Sequence, residues 1–329
     1  MQTMTHSADP LLQVRDLSIA FDTRHGPLRA VDNITFDLAP GEILGMVGES
    51  GAGKSLTGTA ITGLLERPGH ISGGEIHFEG QRIDTLSKDA MRPLRGRKIG
   101  AIFQDPLTSL NPLLTVGKQL VETIQTHMAM SKEAARKRAI DLLSEVGIPA
   151  PEQRVDHYPH QFSGGMRQRV VIALALCADP KLVIADEPTT ALDVSIQAQI
   201  LALLKKMCRE HGAAVILVTH DMGVIAETAD RVAVMYSGRL VEIGPVEQVV
   251  KKPRHPYTKG LMGSIPVVGG GLKRLTQIDG AMPRLTDLPS GCAFHPRCPK
   301  ATEACTRVKP SAVKVEDGQV ACLLYEGAQ

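Results

Sequence analysis

The sequence predicts an α/β protein, a mostly parallel sheet wrapped by helices, with a helical insertion in the core and a cysteine-rich extension at the end. Three observations carry this. Short apolar runs alternate with segments of helical period from Leu12 to Tyr236. Between Asp105 and Gln161 the alternation stops and apolar residues recur only at helical spacing. From Lys251 onward Pro253, Pro256, Pro266, Gly269 to Gly271, Pro283 and Pro289 crowd the chain, and four of its six cysteines fall within 292–329. The expected bounds are 11–252 for the α/β domain, including a helical subdomain at 105–165, and 253–329 for the extension.

Element by element, Leu12 to Phe21 and Ile34 to Leu38 alternate as half-buried strands do, and Ile43 to Val47 is a short apolar run ended by glycine. Lys98 to Phe103, Leu182 to Ala185, Val215 to Thr219 and Val232 to Tyr236 are further buried-strand candidates. In the insertion, Leu120, Val121 and Ile124, then Ala135, Ala139, Leu142, Leu143 and Val146, mark two helices. A chain of 329 residues, 43% hydrophobic, can bury one large core and add a smaller appendage, which excludes a disordered protein. Lys+Arg 37 against Asp+Glu 35 leaves a formal charge of +2, too near neutral for attraction to nucleic acid or anionic lipid to decide partners. The longest apolar runs, Val170 to Ala178 and Ala213 to Val218, fall short of the roughly 18 to 20 residues a spanning helix needs. Met1 to Pro10 has neither a basic start nor an apolar stretch, so no signal peptide is expected and a reducing, cytoplasmic setting follows.

The motif Gly48-Glu49-Ser50-Gly51-Ala52-Gly53-Lys54-Ser55 follows one strand candidate and precedes the helix-compatible Leu56 to Leu65, the context a phosphate-binding loop requires. Glycines 48, 51 and 53 let the backbone wind around phosphate oxygens, Lys54 reaches the β and γ phosphates of ATP, and Ser55 ligates Mg²⁺. Glu49, Ser50, Ala52 and Leu56 complete the expected nucleotide contacts. A glycine-rich turn is the plain alternative, which the flanking strand and helix disfavour. Leu182 to Glu187 ends an apolar strand in two carboxylates that point to opposite faces. Asp186 therefore suits the Mg²⁺ shell, and Glu187 suits the general base for an attacking water. Ser163 can cap the helical run Arg169 to Cys177, with Gly164 and Gly165 leaving the helix start open to an anion.

The stretch Phe162-Ser163-Gly164-Gly165-Met166-Arg167-Gln168 resembles the signature sequence of ABC ATPases, with Met166 where many members carry Gln. The resemblance covers roughly residues 11 to 262 and implies an ABC-type P-loop nucleotide-binding domain with a helical signature subdomain. By the same resemblance, Ser163, Gly164 and Gly165 contact the γ-phosphate of ATP held by a second ATPase subunit. Gln104 senses Mg²⁺ and the attacking water, Ala191-Leu192-Asp193 pairs across the dimer, and His220 contacts the γ-phosphate. Phe21 matches the aromatic that stacks on adenine, with core packing as its rival.

Asp105 to Pro112 (D-P-L-T-S-L-N-P), Tyr158 to Gln161 (Y-P-H-Q), Asp186 to Asp193 (D-E-P-T-T-A-L-D) and His255 to Thr258 (H-P-Y-T) look like the ATP-binding subunits of dipeptide, oligopeptide and nickel importers. The tail G-C-A-F-H-P-R-C-P is especially like the dipeptide-importer subunit. The resemblance implies a related second ATPase subunit, two membrane permeases, an extracytoplasmic peptide-binding protein and a peripheral place on the cytoplasmic face of the inner membrane, with no nucleic-acid partner. Two ATPs are expected to be enclosed between the paired ATPases. A nickel or other small-solute importer is the near alternative. A soluble mechanochemical ABC ATPase is the distant one, disfavoured by a single cassette without sustained heptads.

Cys292, Cys298, Cys305 and Cys322, spaced C-x5-C-x6-C-x16-C, read as a metal site in a segment with little apolar material of its own. Zinc is chemically possible, but paired C-x2-C knuckles are missing, and the dipeptide-importer resemblance favours a 4Fe-4S cluster. Cys177 and Cys208 lie in helical segments and read as small core residues.

Overall fold

The computed structural model describes residues 9–190, 192–264 and 277–326. In chain order its strands are β1 (Leu12–Thr23), β2 (Gly26–Leu38), β3 (Ile43–Val47), β4 (Gly69–Phe78), β5 (Gln81–Arg82) and β6 (Ile99–Ile102). They continue with β7 (Leu182–Asp186), β8 (Ala214–Val218), β9 (Arg231–Tyr236), β10 (Arg239–Pro245), β11 (Val313–Val315) and β12 (Gly318–Val320). The chain divides into two compact units.

The first unit comprises Leu38–Ile43, Thr85–Val218 and the described part of Met1–Leu11. In it β6, β7 and β8 run parallel with β7 in the middle, Ile99 opposite Leu182 and Asp186 opposite Val218. All five residues of β8 and the first four of β7 are buried. Parallel strands covered on both faces read as unbroken apolar runs, which is why the sequence marks them so plainly. Between β6 and β7 come helices Pro106–Ser109, Val116–His127, Lys132–Glu145, Pro151–Arg154 and Gly164–Leu176, with no strand among the described residues of that stretch. Thr115 and Ser131 cap the two longer middle helices by accepting from Lys118 N–H and Ala134 N–H. Leu120, Ile124, Ala135, Ala139, Leu142, Leu143 and Val146 are buried, as their spacing predicts, while Val121 is half-buried.

The second unit comprises Leu12–Asp37, Leu44–Asp84 and Thr219–Gln329. Its antiparallel sheet runs in the order β2, β1, β4, β5. A second set joins β3 in parallel to β9 and continues antiparallel through β10, β12 and β11. β4 carries no alternating apolar signal because Gly73 and Gly74 sit at its centre. There β1 bulges, with Asp16 at φ 49°, and a Cβ on Gly74 would lie 2.5 Å from the Asp16 carbonyl. The sequence predicts a loop-rich extension, yet β11 and β12 form a hairpin that adds to β10, Val320 opposite Glu242. The extension's helix, Pro256–Gly263, is anchored at its start by Glu242, which accepts from the N–H groups of Arg254 and His255 at 2.8 and 2.9 Å. Tyr236, Tyr257 and Phe294 pack ring on ring there, with centroids 4.7 to 5.4 Å apart, so three of the chain's ten aromatics sit in one cluster.

Candidate functional site

Within the second unit, β3 is buried along its whole length and ends at Val47, where the loop Gly48 to Gly53 leads into the helix Lys54–Ile61. Two glycines are demanded by the surroundings. A Cβ on Gly48 (φ 151°) would lie 2.2 Å from the Met235 carbonyl, and one on Gly53 (φ 99°) would lie 3.1 Å from the Ala30 carbonyl. Ala52 is buried and its carbonyl accepts from Gly238 N–H at 3.0 Å, tying the loop to the turn after β9. Lys54 is only 4% exposed, and its Nζ donates to the carbonyls of Gly48 and Glu49 at 2.9 and 3.1 Å. Gly53 gives the helix start no side-chain cap, while Ser50, Gly51 and Ser55 are exposed and Glu49 and Leu56 are half-buried. A cationic amine folded into a ring of backbone at an uncapped helix N-terminus is a receptor for a polyphosphate.

Phe21, also in this unit, is half-buried on β1 opposite Gly69, whose missing side chain leaves room for its ring. His220 is exposed, between Thr219, whose N–H donates to the Met46 carbonyl at 3.1 Å, and Asp221, which caps the helix Met222–Thr228.

Within the first unit, β7 carries Asp186 to its end and Glu187 just beyond. Glu187 has φ 45°, a left-handed conformation that costs a residue with a side chain about 1–3 kcal/mol. Its N–H donates to the Val218 carbonyl at 2.9 Å, which holds the turn. Its Oε2 accepts from Gln104 Nε2 at 3.1 Å and from Thr190 Oγ1 at 2.8 Å. Gln104 and Glu187, 83 positions apart, are thus brought together, with Asp186 half-buried beside them in sequence. Thr190 is a member of this group that the sequence reading quoted in a motif but gave no role.

In the same unit Ser163 caps the helix Gly164–Leu176, its Oγ accepting from Met166 N–H at 3.4 Å. Ser163 and Gly164 are exposed, whereas Gly165 is buried where a Cβ would lie 2.9 Å from Ile196 Cγ2. Asp193 is exposed at the start of the helix Val194–Glu210, and Ala191 of the expected dimer loop lies outside the described residues.

The six cysteines are free thiols. Cys177 and Cys208 are core residues at 1% and 0% exposure, and burial pushes both thiols up to about 12. In the extension, Cys292 N–H donates to the Cys305 carbonyl at 2.9 Å, and Thr302 N–H points at Cys305 Sγ at 3.5 Å. Burial raises the Cys292, Cys298 and Cys322 thiols, and charge on others of the four raises each further. The four are therefore electrostatic neighbours. Among the described residues no three His, Cys, Asp or Glu side chains converge on a single metal ion, so neither the expected cluster nor the zinc alternative is seen as a formed ion site. No described helix is long and apolar enough to cross a membrane.

The family model described as "ABC transporter" matches residues 31–190, and that of the "Oligopeptide/dipeptide transporter, C-terminal region" matches 241–305. The dipeptide transport ATP-binding protein of Haemophilus influenzae is 48% identical over 95% of this chain and 94% of its own length. The oligopeptide transport ATP-binding protein of Bacillus subtilis is 53% identical over 93% of this chain and 86% of its own. Among solved structures, a dimeric ATP-binding cassette in a post-hydrolysis state with ADP and Pi superposes with TM-score 0.64 at 31% identity, covering 71% of this chain and 98% of that one.

Proposed function

The chain belongs to the ABC transporter family of ATP-binding proteins, and on that premise we propose that it hydrolyses ATP to energise import of di- or oligopeptides. The observation that carries the ATPase half is the loop Gly48 to Ser55, wound so tightly that Gly48 tolerates no side chain and with the Lys54 amine turned onto its own carbonyls. The peptide half rests on likeness to dipeptide and oligopeptide transport proteins over more than nine-tenths of this chain.

In this reading Lys54 and the loop N–H groups hold the β and γ phosphates, Phe21 stacks on adenine, and His220 meets the γ-phosphate. Ser55, Gln104 and Asp186 are the residues that would hold Mg²⁺, which when bound would supply neutralisation of phosphate charge. Glu187 takes the proton of the attacking water, and Gln104 and Thr190, which donate to its carboxylate, aim it. Ser163, Gly164, Gly165 and Asp193 serve ATP bound on a second ATPase subunit, a role supported by the exposure of Ser163, Gly164 and Asp193 and by the dimeric form of the similar cassette.

The stretch 105–165 is read as the signature subdomain that receives the permeases, peripheral on the cytoplasmic face of the membrane. Within this stretch Leu107 and Leu113 are 62% and 81% exposed, and Phe103, just before it, is 52% exposed, apolar side chains that a partner would cover. The same stretch carries a groove of about 820 Å³ lined by Leu114, Val121, Lys132 and Arg136. An extracytoplasmic peptide-binding protein would feed the permeases. Co-purification with two permeases, followed by peptide uptake coupled to ATP hydrolysis in vesicles, tests the whole reading. An active ATPase that captures no permease would leave the soluble mechanochemical alternative, and uptake of nickel without peptide would replace the substrate.

For the extension, 253–329, the reading is a 4Fe-4S site held by Cys292, Cys298, Cys305 and Cys322. What supports it is that charge on others of the set raises the Cys292, Cys298 and Cys322 thiols beyond the effect of burial, and that the Thr302 N–H is directed at the Cys305 sulfur. A cluster wider than one ion accepts sulfurs that do not converge on a point. When bound it would supply crosslinks to a segment poor in apolar residues. Anaerobic purification with iron, sulfide and zinc analysis decides it, and stoichiometric zinc without iron would assign the site to zinc.

A further inference from the structure

The loop that receives a polyphosphate carries a carboxylate of its own, Glu49. Like charges a few ångströms apart oppose each other, and a flexible unpaired carboxylate there would weaken the binding of ATP. The structure pairs it. Arg297 Nη1 donates to Glu49 Oε1 at 2.8 Å, and the Arg297 side chain is only 8% exposed. The guanidinium is itself locked: Nε donates to the Asp279 carbonyl at 2.9 Å, Nη1 reaches Tyr236 Oη at 3.3 Å, and its carbon stands 5.8 Å from the Tyr236 ring centre. Behind the same residue, Glu49 N–H donates to Tyr257 Oη at 3.0 Å. Tyr236, Tyr257 and Phe294 form the aromatic cluster that fixes both holders. All of these residues lie in the second unit.

We propose that Arg297 is a positioning residue for the phosphate loop: it neutralises and orients Glu49, so that the nucleotide affinity of the loop depends on the cysteine-rich extension. Arg297 closes the one-turn helix His295–Arg297 between Cys292 and Cys298, so whatever holds those cysteines also places the guanidinium. The pair differs from a fully exposed one in that Arg297 is held almost out of water while Glu49 is half-buried. The inference rests on the reading of Gly48 to Ser55 as the nucleotide site.

The test uses the full chain, a fluorescent ATP analogue for affinity, and steady-state hydrolysis. Arg297→Gln is expected to weaken nucleotide binding about ten-fold, the loss appearing in KM rather than kcat. Glu49→Gln, which removes the charge that needs neutralising, is expected to weaken binding less than Arg297→Gln does. The double variant should recover most of the Arg297→Gln loss, which a purely structural arginine would not allow, and Arg297→Lys should restore part of it. A double variant as weak as Arg297→Gln, or an Arg297→Gln within about two-fold of wild type, overturns the proposal. Should Arg297→Gln not fold, Glu49→Asp keeps the charge while shortening its reach. It is then expected to bind about ten-fold more weakly than Glu49→Gln, and equal affinity of the two overturns the proposal. Lys54→Ala separates the two levels: nucleotide affinity unchanged in that variant would sink the nucleotide-site reading itself, whereas its loss leaves any failure of the Arg297 arm to this inference alone.

Discussion

Among the described helices, Lys54–Ile61 follows a glycine cap and Gly164–Leu176 opens on two glycines, and they start differently. At Lys54–Ile61 the cap is Gly53 in a left-handed conformation with no side-chain bond, the lysine that follows is buried, and neighbouring carbonyls enclose the loop. At Gly164–Leu176 the cap is Ser163, which satisfies the helix with its own hydroxyl while it and Gly164 remain exposed. One start is a cradle completed within its own unit; the other is a finished, solvent-facing surface. The uncapped start keeps its N–H groups open to an anion, whereas at the other start Ser163 already satisfies one of them.

The largest effect that sharpens this contrast is expected from Glu187→Gln. Removal of the base should slow hydrolysis by roughly 10²- to 10⁴-fold while ATP still binds. The trapped state should then protect the amides of Gly164 and Gly165 from hydrogen exchange when ATP is present. Protection confined to the phosphate loop would break the comparison.

Next comes Gly48→Ala. Its Cβ meets the Met235 carbonyl at 2.2 Å, so the loop must shift, at about 1–3 kcal/mol and a ten-fold or greater loss of nucleotide affinity. Thermal melting and titration of the fluorescent nucleotide read both. An unaffected affinity would mean that the cradle is not tight.

The support behind the cradle should depend on pH. His255 is buried, its Nδ1 accepts from Tyr257 N–H at 3.0 Å, and burial lowers its value from 6.5 to about 4. Folded lies below unfolded, so the neutral ring's contribution is complete above about pH 6.5 and is lost as pH falls towards 4. Between pH 7 and 5 this amounts to about 2 kcal/mol. His255→Asn keeps a capping acceptor without the titration, and its melting temperature should fall less over that range than the wild type's. An equal fall would place the acid sensitivity elsewhere.

Ser163→Ala should have the smallest effect, about 1 kcal/mol of stability from the lost cap. Nucleotide affinity of the isolated chain should be unchanged, since this capped helix start has no part in the cradle at Gly48 to Ser55. A loss of affinity comparable to that of Gly48→Ala would erase the distinction.

By itself the sequence determined what lies in contiguous residues. β3 and the phosphate loop, the apolar runs of β7 and β8 ending in Asp186 and Glu187, the serine before the two glycines, and the helical periods of 116–145 were all legible, because backbone conformation and burial of a short segment follow from its own residue types. Only the tertiary structure decided the rest. It revealed β4, whose glycines answer a bulge in β1 rather than a pattern of their own, and the β11–β12 hairpin, which holds by pairing to β10. It joined Gln104 to Glu187 across 83 positions and Arg297 to Glu49 across 248. Such pairings depend on strand register and on which loops the sheets bring to one place, and no local run of residues carries that information.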